Sequence, residues 1–165
     1  MRGRLEDKRV SESTLTACRL MLPTDSNPVG YVHGGSIVRY VDEIAGVVAF
    51  RHCRTNVVTA SIDSMSFLAP VHIGNLLIVK ASINYVGRTS MEVGARVEAE
   101  DLVKGVTTHT GSCYLTFVAL DENGRPTRAP PIIPVTKGEK RRYKEAQERR
   151  TIRLSTRNRK AHSKS

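Results

Sequence analysis

The chain carries one long apolar helical pattern among several strand patterns, and this imbalance limits what it can fold into. In residues 34 to 50, apolar side chains recur every three or four positions, which predicts a core helix. The strand patterns lie at 14–22, 56–67, 77–85, 91–99 and 106–120. One helix covers about five antiparallel strands only if the sheet curls around it. The sequence therefore predicts an α+β domain of this form.

Such a domain leaves one sheet edge open, so we expect two copies to associate by continuing the sheet. We divide the chain into four segments on composition. These are an N-terminal tail (1–9), the domain (10–125), a proline-rich connector (126–136) and a basic C-terminal helix and tail (137–165). In the last segment we expect a solvent-exposed helix over residues 137–150.

The net charge of +10 is unevenly distributed along the chain. Residues 1 to 136 hold 14 Lys and Arg against 13 Asp and Glu, whereas residues 137 to 165 hold 12 against 3. The nearly neutral domain argues against nucleic-acid binding by the domain, and we interpret the basic tail as a solvated segment. Binding of nucleic acid through that tail stays open as an alternative.

Location and metal content are also constrained by composition. No apolar run is long enough to span a membrane, and the first ten residues lack the apolar segment of a secretory signal, so a cytoplasmic protein is expected. The spacing of Cys18, Cys53 and Cys113 fits neither a zinc site nor a disulfide framework. We expect buried, reduced thiols, no metal and no cofactor.

The most informative stretch is N27-P-V-G-Y-V-H-G-G-S36, followed by Asp42 in the predicted helix. Gly34 and Gly35 leave the first N–H groups of the helix open to a substrate carbonyl oxygen. A tight loop end is the alternative interpretation of the glycine pair. His33 just before a helix is more often a structural hydrogen-bonding group, so we assign it a supporting role.

Asp42 falls at the edge of the apolar stripe, where a carboxylate can serve as a base or a nucleophile. The alternative is a carboxylate that is hydrogen-bonded to a neighbouring strand or a subunit interface. Asn27 has an amide that can hold a carbonyl or a water, although closing an Asx turn is the commoner use. Together these residues predict a polar site beside the helix N-terminus.

The chain resembles the hotdog-fold acyl-CoA thioesterases, specifically the brain-type cytosolic acyl-CoA hydrolases and their single-domain bacterial relatives. The resemblance spans roughly residues 10 to 145. It is carried by the following blocks, which occur in the order of the family: N27-P-V-G-Y-V-H-G-G, V41-D-E-I-A-G46, R51-H-C53, N56-V-V-T-A-S-I-D63, F67-L-A-P70 and G87-R-T-S-M-E-V93.

The resemblance implies hydrolysis of acyl-CoA to a free acid and CoA-SH at a dimer interface, often in trimers of dimers. Asp42 would be the catalytic carboxylate, Asn27 would come from the facing subunit, and Gly35 would supply the N–H that polarises the carbonyl. His33 and Gly34 would shape the pocket.

The coenzyme A moiety would lie near Arg88, Thr89 and Ser90, where a cation stands beside two hydroxyls; an ordinary exposed hairpin is the alternative. Coenzyme A is then part of the substrate, and not a cofactor. A CoA-ester hydratase or dehydratase on the same fold is the rival enzyme, although its Asp/His motif is not matched here. A non-catalytic acyl-CoA-binding protein is the rival outside the enzymes.

Overall fold

The computed structural model describes residues 6 to 162. Residues 1–5 of the predicted N-terminal tail and 163–165 of the predicted C-terminal tail lie outside this range. The strands are β1 Lys8–Arg9, β2 Leu15–Leu20, β3 Asn56–Phe67, β4 Leu76–Val86, β5 Ser90–Asp101, β6 Val106–Leu120 and β7 Ile132–Ile133. The helices are α1 Gly34–Cys53 and α2 Lys137–His162.

Five strands form one antiparallel sheet in the order β2-β4-β5-β6-β3, and α1 packs against it. The predicted architecture, a long helix wrapped by a curled antiparallel sheet, is therefore confirmed. β3 and β4 follow each other in the chain, yet they do not pair, because β3 pairs with β6 instead. This crossover makes β3 an edge strand next to the helix, with one side of its backbone unpaired.

Helix α1 forms where the apolar spacing predicts it. Ile37, Val41, Ala45 and Val48 occupy one face and are almost completely buried, so this face forms the centre of the core. The helix ends at Arg54, which adopts a left-handed conformation with φ of 57° and donates its N–H to the carbonyl of Phe50. Its first turn begins directly after His33 and so carries the predicted glycine pair.

The two ends of the domain are held together near the end of α1. β1 pairs in parallel with β7, so the predicted tail and connector contact each other. Lys8 Nζ donates to the carbonyl of His52 at 2.7 Å, and His52 Nε2 lies 2.8 Å from the carbonyl of Pro130. His52 is fully buried, and burial lowers its pKa. Hence this histidine is a structural core residue.

Helix α2 differs from the predicted exposed helix in its length and packing. It continues to His162, and one of its faces lies on the outer face of the sheet, where Ala146 is fully buried. Arg149 forms an ion pair with Glu92 of β5 at 2.7 Å and stacks on Tyr114, 3.8 Å from the ring centroid. Glu92 alternates with the apolar residues of β5, a position typical of a solvent-exposed face, yet it is only 2% exposed beneath α2.

Two further expectations concern membranes and thiols. Neither described helix has a stretch long and apolar enough to cross a membrane. Cys53 and Cys113 are buried free thiols as predicted, and burial raises the pKa of each to about 11. Cys18 is different: it is free but exposed on the edge strand β2, because its side chain faces away from the core.

Candidate active site

Asp42 lies near the middle of α1, at the border between the buried and exposed faces of the helix. Its neighbour Val41 is fully buried, whereas Glu43 is exposed and pairs with Arg39 at 3.0 Å. Asp42 itself is half-buried. The predicted boundary position therefore places a carboxylate where it is supported by the protein and is still open to a ligand.

Thr59 of β3 is a site residue that the sequence analysis missed. Its Oγ1 donates a hydrogen bond to Asp42 Oδ1 at 2.8 Å, which orients the carboxylate. Among the described residues, the second oxygen of Asp42 accepts no hydrogen bond, so it is free to act on a water or a substrate. The only available signal was the β-branched run of β3, and that run does not identify which strand lies beside the helix.

The two glycines at the start of α1 are packed against aromatic rings. A Cβ on Gly34 would lie 3.3 Å from Phe67 Cζ, and a Cβ on Gly35 would lie 3.1 Å from His33 Nδ1. The N–H of Gly35 donates to His33 Nδ1 at 2.9 Å, so His33 is the N-cap of the helix. The N–H that was predicted to meet a substrate carbonyl is thus engaged by an internal acceptor in this structure.

Asn27 closes the loop before α1. Its Oδ1 accepts from the backbone N–H groups of Val29 at 3.0 Å and Tyr31 at 3.1 Å, so the Asx turn is present. This arrangement fixes the direction of the amide. Its Nδ2 group has no hydrogen-bond acceptor among the described residues, and two N–H donors therefore remain for a ligand.

The structure brings some of the predicted residues together within one chain and leaves others apart. Gly35 and Asp42 are seven positions apart on α1, which places them on the same helix face about 10 Å apart along the axis. Asn27 and Asp42 share no hydrogen bond among the described contacts.

Arg88, Thr89 and Ser90 form the hairpin between β4 and β5. The carbonyls of Arg88 and Thr89 accept from Ala129 and Ala119 at 3.1 and 2.9 Å, which fixes the hairpin backbone. The Arg88 side chain is exposed. Arg150 of α2 reaches the same hairpin, because its guanidinium would lie 3.5 Å from a Cβ on Gly87. Two guanidinium groups thus lie near this turn, and only one was predicted from the sequence.

The described side chains also bear on metal binding. Among the side chains that the structure describes, in residues 6 to 156, no group of His, Cys, Asp and Glu could hold a metal ion. The polar groups available beside α1 are therefore a carboxylate, a hydroxyl, an amide and backbone N–H groups. Such groups can orient a carbonyl and activate a water.

Comparisons with known proteins assign this architecture. Residues 29–106 match the model of the thioesterase superfamily. The chain is 46% identical to the protein VdlD of Helicobacter pylori over 134 residues, covering 81% of this chain and 76% of VdlD. It is 37% identical to YkhA of Bacillus subtilis, named an uncharacterized acyl-CoA thioester hydrolase, covering 96% of this chain and 90% of YkhA.

A rat protein named cytosolic acyl coenzyme A thioester hydrolase is 34% identical over 87% of this chain, which spans only 38% of that protein. Two solved structures have nearly the same fold. An apo-hexameric acyl-CoA thioesterase superposes with a TM-score of 0.89 and 39% identity, covering 92% of this chain and 97% of its own. An acyl-CoA hydrolase from Staphylococcus aureus, solved in complex with butyryl coenzyme A and coenzyme A, superposes with a TM-score of 0.88 and is 35% identical. The match covers 94% of this chain and 95% of the hydrolase.

The Staphylococcus aureus hydrolase has also been solved as three variants, in which an asparagine, an aspartate or a threonine is replaced by alanine. The three replaced residues have the same sequence spacing as Asn27, Asp42 and Thr59 of this chain. Identity over nearly the full length, together with the shared curled sheet and helix, defines the relationship. The chain therefore belongs to the hotdog-fold thioesterase superfamily, among the acyl-CoA thioester hydrolases.

Proposed function

We propose that this protein hydrolyses acyl-CoA thioesters to a free carboxylic acid and CoA-SH. The observation that carries the proposal is the oriented carboxylate of Asp42, held by Thr59 at 2.8 Å on the same helix face as Gly35. Thioester hydrolysis needs an activated water or a nucleophile beside a donor that stabilises the oxyanion. This pair of groups meets both needs.

In the proposed mechanism, Thr59 holds one oxygen of Asp42, and the other oxygen acts on the substrate. Asp42 either removes a proton from the attacking water or attacks the thioester carbonyl itself, forming an anhydride that water then cleaves. In both routes the carbonyl oxygen becomes negatively charged and the thiolate of coenzyme A leaves. Protonation of that thiolate gives CoA-SH.

The oxyanion is stabilised at the N-terminus of α1. The Gly35 N–H points to His33 Nδ1 in this structure, so the substrate carbonyl must share or replace that acceptor. The helix dipole favours the change, because the carbonyl oxygen becomes anionic in the transition state. Gly34, packed against Phe67, keeps the approach to this donor narrow.

Asn27 is supplied to each site by the facing subunit of a homodimer. Its Nδ2 group is free to donate to the thioester or to position the water, since the Asx turn uses only Oδ1. A single chain that holds both Asn27 and Asp42 then gives two equivalent sites per dimer.

The dimer forms along β3, whose outer edge is unpaired in one chain. Val58, Ile62 and Phe67 of β3 are 46%, 44% and 53% exposed, and Val47 and Phe50 of α1 add apolar surface beside them. Pairing of two β3 strands would bury this patch and satisfy the open backbone groups. Three such dimers give the hexameric assembly of the similar acyl-CoA thioesterase.

Coenzyme A is bound near the hairpin of Arg88, Thr89 and Ser90. The exposed guanidinium of Arg88 and that of Arg150 on α2 are suited to phosphate groups, and the hydroxyls add donors. We place the reaction in the cytoplasm, in keeping with the cytosolic rat relative.

The decisive experiment measures CoA-SH release from acyl-CoAs of graded chain length. We expect the wild type to be active and Asp42→Asn and Asn27→Ala to lose about 100-fold or more in kcat/KM. Glu43→Gln is the matched control, because it removes a carboxylate from the next, exposed position and should leave activity unchanged. Full activity of folded Asp42→Asn would refute the mechanism, and an inactive wild type would refute the function.

A further inference from the structure

A second polar cleft lies on the outer face of the sheet, beneath the first turns of α2. It has a volume of about 370 Å³. Its walls come from β4, β5, β6 and α2. The residues that line it and are used below are Lys80, Ser82, Asn84, Arg96, Ser112, Tyr114, Arg141 and Arg142.

The cleft is strongly cationic. Four of its lining side chains are Lys80, Arg96, Arg141 and Arg142, and its main counter-charge is Glu98, which lies 2.6 Å from Lys80 Nζ and 2.7 Å from Arg96 Nε. Arg141 contacts Glu145 only at 3.7 Å, and Arg142 forms no ion pair with a described residue. Two guanidinium groups on consecutive positions of α2 therefore line the cleft, and among the described residues only Arg141 forms an ion pair, with Glu145.

The floor of the cleft contains a buried polar group that is not satisfied by the protein. Asn84 is only 3% exposed, and its Nδ2 donates to Glu92 Oε1 at 3.0 Å, which fixes the direction of the amide. Its Oδ1 is fully buried and has no hydrogen-bond partner. A buried acceptor of this kind is normally paired with a water or a ligand donor. Ser82 and Ser112 add hydroxyl groups beside it.

This cleft is separate from the proposed thioester site. Ser82 and Asn84 alternate along β4 with Ala81 and Ile83, which are buried in the core beneath α1, so the cleft and α1 lie on opposite faces of the sheet. The hairpin proposed for coenzyme A begins with Arg88, six residues beyond Ser82 and four beyond Asn84, which corresponds to about 20 Å and about 13 Å of extended chain.

We propose that this cleft binds a small phosphate-bearing anion. Adjacent guanidinium groups recognise phosphate oxygens by paired, charge-assisted hydrogen bonds, and a ligand with at least two negative charges matches the excess of cations. The hydroxyls of Ser82 and Ser112 can donate to the phosphate oxygens, whereas Asn84 Oδ1 would accept from a ligand hydroxyl or a bridging water. The volume suits an anion between pyrophosphate and a mononucleotide in size.

The phosphate groups have two possible sources, and the chemistry of the cleft is the same for both. One is the phosphorylated adenosine of coenzyme A, reaching this face of the same or another subunit. The other is a separate phosphorylated metabolite. A ligand in the cleft contacts α2 and three strands together, so its binding should also stabilise the folded protein and raise the Tm.

The test titrates the full chain with inorganic pyrophosphate in a calorimeter, so that it does not depend on hydrolytic activity. We expect binding by the wild type and at least about tenfold weaker binding by Arg141→Gln/Arg142→Gln, since each removes a charged hydrogen bond. The control is Lys140→Gln/Lys144→Gln, which removes the same charge from exposed positions of α2 and should bind as the wild type does.

A third variant predicts a change of the opposite sign. Glu98→Gln removes the carboxylate that neutralises Lys80 and Arg96, so pyrophosphate should bind more tightly. The proposal is overturned if the wild type gives no binding. It is also overturned if the arginine and lysine pairs weaken binding equally, because the effect would then come from net charge alone.

Two further arms distinguish the sources of phosphate. If the cleft holds the nucleotide of coenzyme A, 3′,5′-adenosine bisphosphate competes with pyrophosphate, and Arg141→Gln/Arg142→Gln raises KM for acyl-CoA while kcat stays the same. If it holds a separate metabolite, pyrophosphate still binds in the presence of saturating CoA-SH, and KM is unchanged. Both results support the anion site. The competition measurements do not require hydrolysis, whereas the comparison of KM values applies once the proposed hydrolysis has been measured.

Discussion

At the scale of single residues, the chemistry of the proposed site depends on small groups that hold larger ones in place. Thr59 orients Asp42, His33 engages the Gly35 N–H, and the backbone of the loop orients Asn27. The contacts to Asp42 and Asn27 each fix one polar atom and leave a second atom free, whereas the Gly35 N–H is itself engaged by His33. This division lets the same side chain be positioned by the protein and still act on a substrate.

The Thr59 hydroxyl gives a sharp test of this arrangement. We expect Thr59→Val to keep the shape of the side chain and to lower kcat about 10- to 100-fold, because a hydrogen bond to a charged group is lost. KM should change little, and Thr59→Ser should restore most of the rate. Steady-state kinetics with one acyl-CoA check this, and equal kcat values for the valine and serine variants would contradict it.

The buried side chain of His52 contributes to the pH dependence of the protein's stability. Burial lowers its pKa, so the folded protein favours the neutral ring while the unfolded chain takes up a proton near pH 6.5. The stability linked to His52 is therefore complete above that value and falls as the pH drops below it.

The measurement is the free energy of unfolding in urea between pH 7.5 and 5.5. We expect His52→Gln, which does not titrate but can still donate to the Pro130 carbonyl, to lose less stability over this range than the wild type. Parallel pH profiles for the two proteins would show that His52 does not contribute.

At the scale of elements, the two helices have different relations to the sheet. α1 is held by a continuous apolar face, and its position follows from hydrophobic burial. α2 is held by few apolar groups together with charged ones: Arg149 pairs with buried Glu92, and Arg153 pairs with Asp63 of β3. Thr116 also donates to Asp63, at 3.0 Å, so α2 is tied to the strand that carries Thr59.

Removing Arg149 should show how strongly α2 depends on this ion pair. Arg149→Met leaves Glu92 buried without its partner, and we expect the protein to lose about 3 kcal/mol of stability. Glu92→Gln in the same chain should recover part of the loss, because an amide is easier to bury than a carboxylate. Urea denaturation of the two variants provides the measurement. Unchanged stability of Arg149→Met would contradict the docked position of α2.

At the scale of the whole molecule, the proposed function requires two chains. One chain holds a carboxylate and an amide that share no hydrogen bond in the described structure, and it exposes apolar residues on its edge strand β3. The proposed dimer along β3 accounts for both observations, because it would bring Asn27 of one chain to Asp42 of the other and would bury the exposed apolar residues. The cationic cleft lies on the face of the sheet opposite to α1.

Mixing two inactive variants tests the shared site. Refolding Asn27→Ala together with Asp42→Asn in equal amounts should restore about a quarter of the wild-type activity, because half of the dimers are mixed and one of their two sites is intact. Each variant refolded alone stays inactive. A mixture that also stays inactive would show that both side chains act within one chain.

Much of the secondary structure, and the position of Asp42, could be predicted from the spacing of apolar residues along the chain. The bounds of β3 and β6 agree with the strand patterns, and α1 begins where the glycine pair predicts, because side-chain periodicity depends only on neighbours along the chain. The border position of Asp42 follows from the same helical periodicity. The pairing of Thr59 with Asp42 could not be predicted, since it depends on which strand crosses beside the helix.

The sequence alone determined the order of the elements, the apolar face of α1 and the loop that presents Asn27 and His33. Only the tertiary structure decided that β3 pairs with β6, that His33 occupies the Gly35 N–H, and that α2 covers Glu92 and frames a cationic cleft. The physical reason is the distance along the chain over which each kind of interaction acts. Periodicity and turn chemistry act over a few residues, whereas strand order, ion pairs and clefts depend on residues that are distant in the chain and meet only after the core has packed.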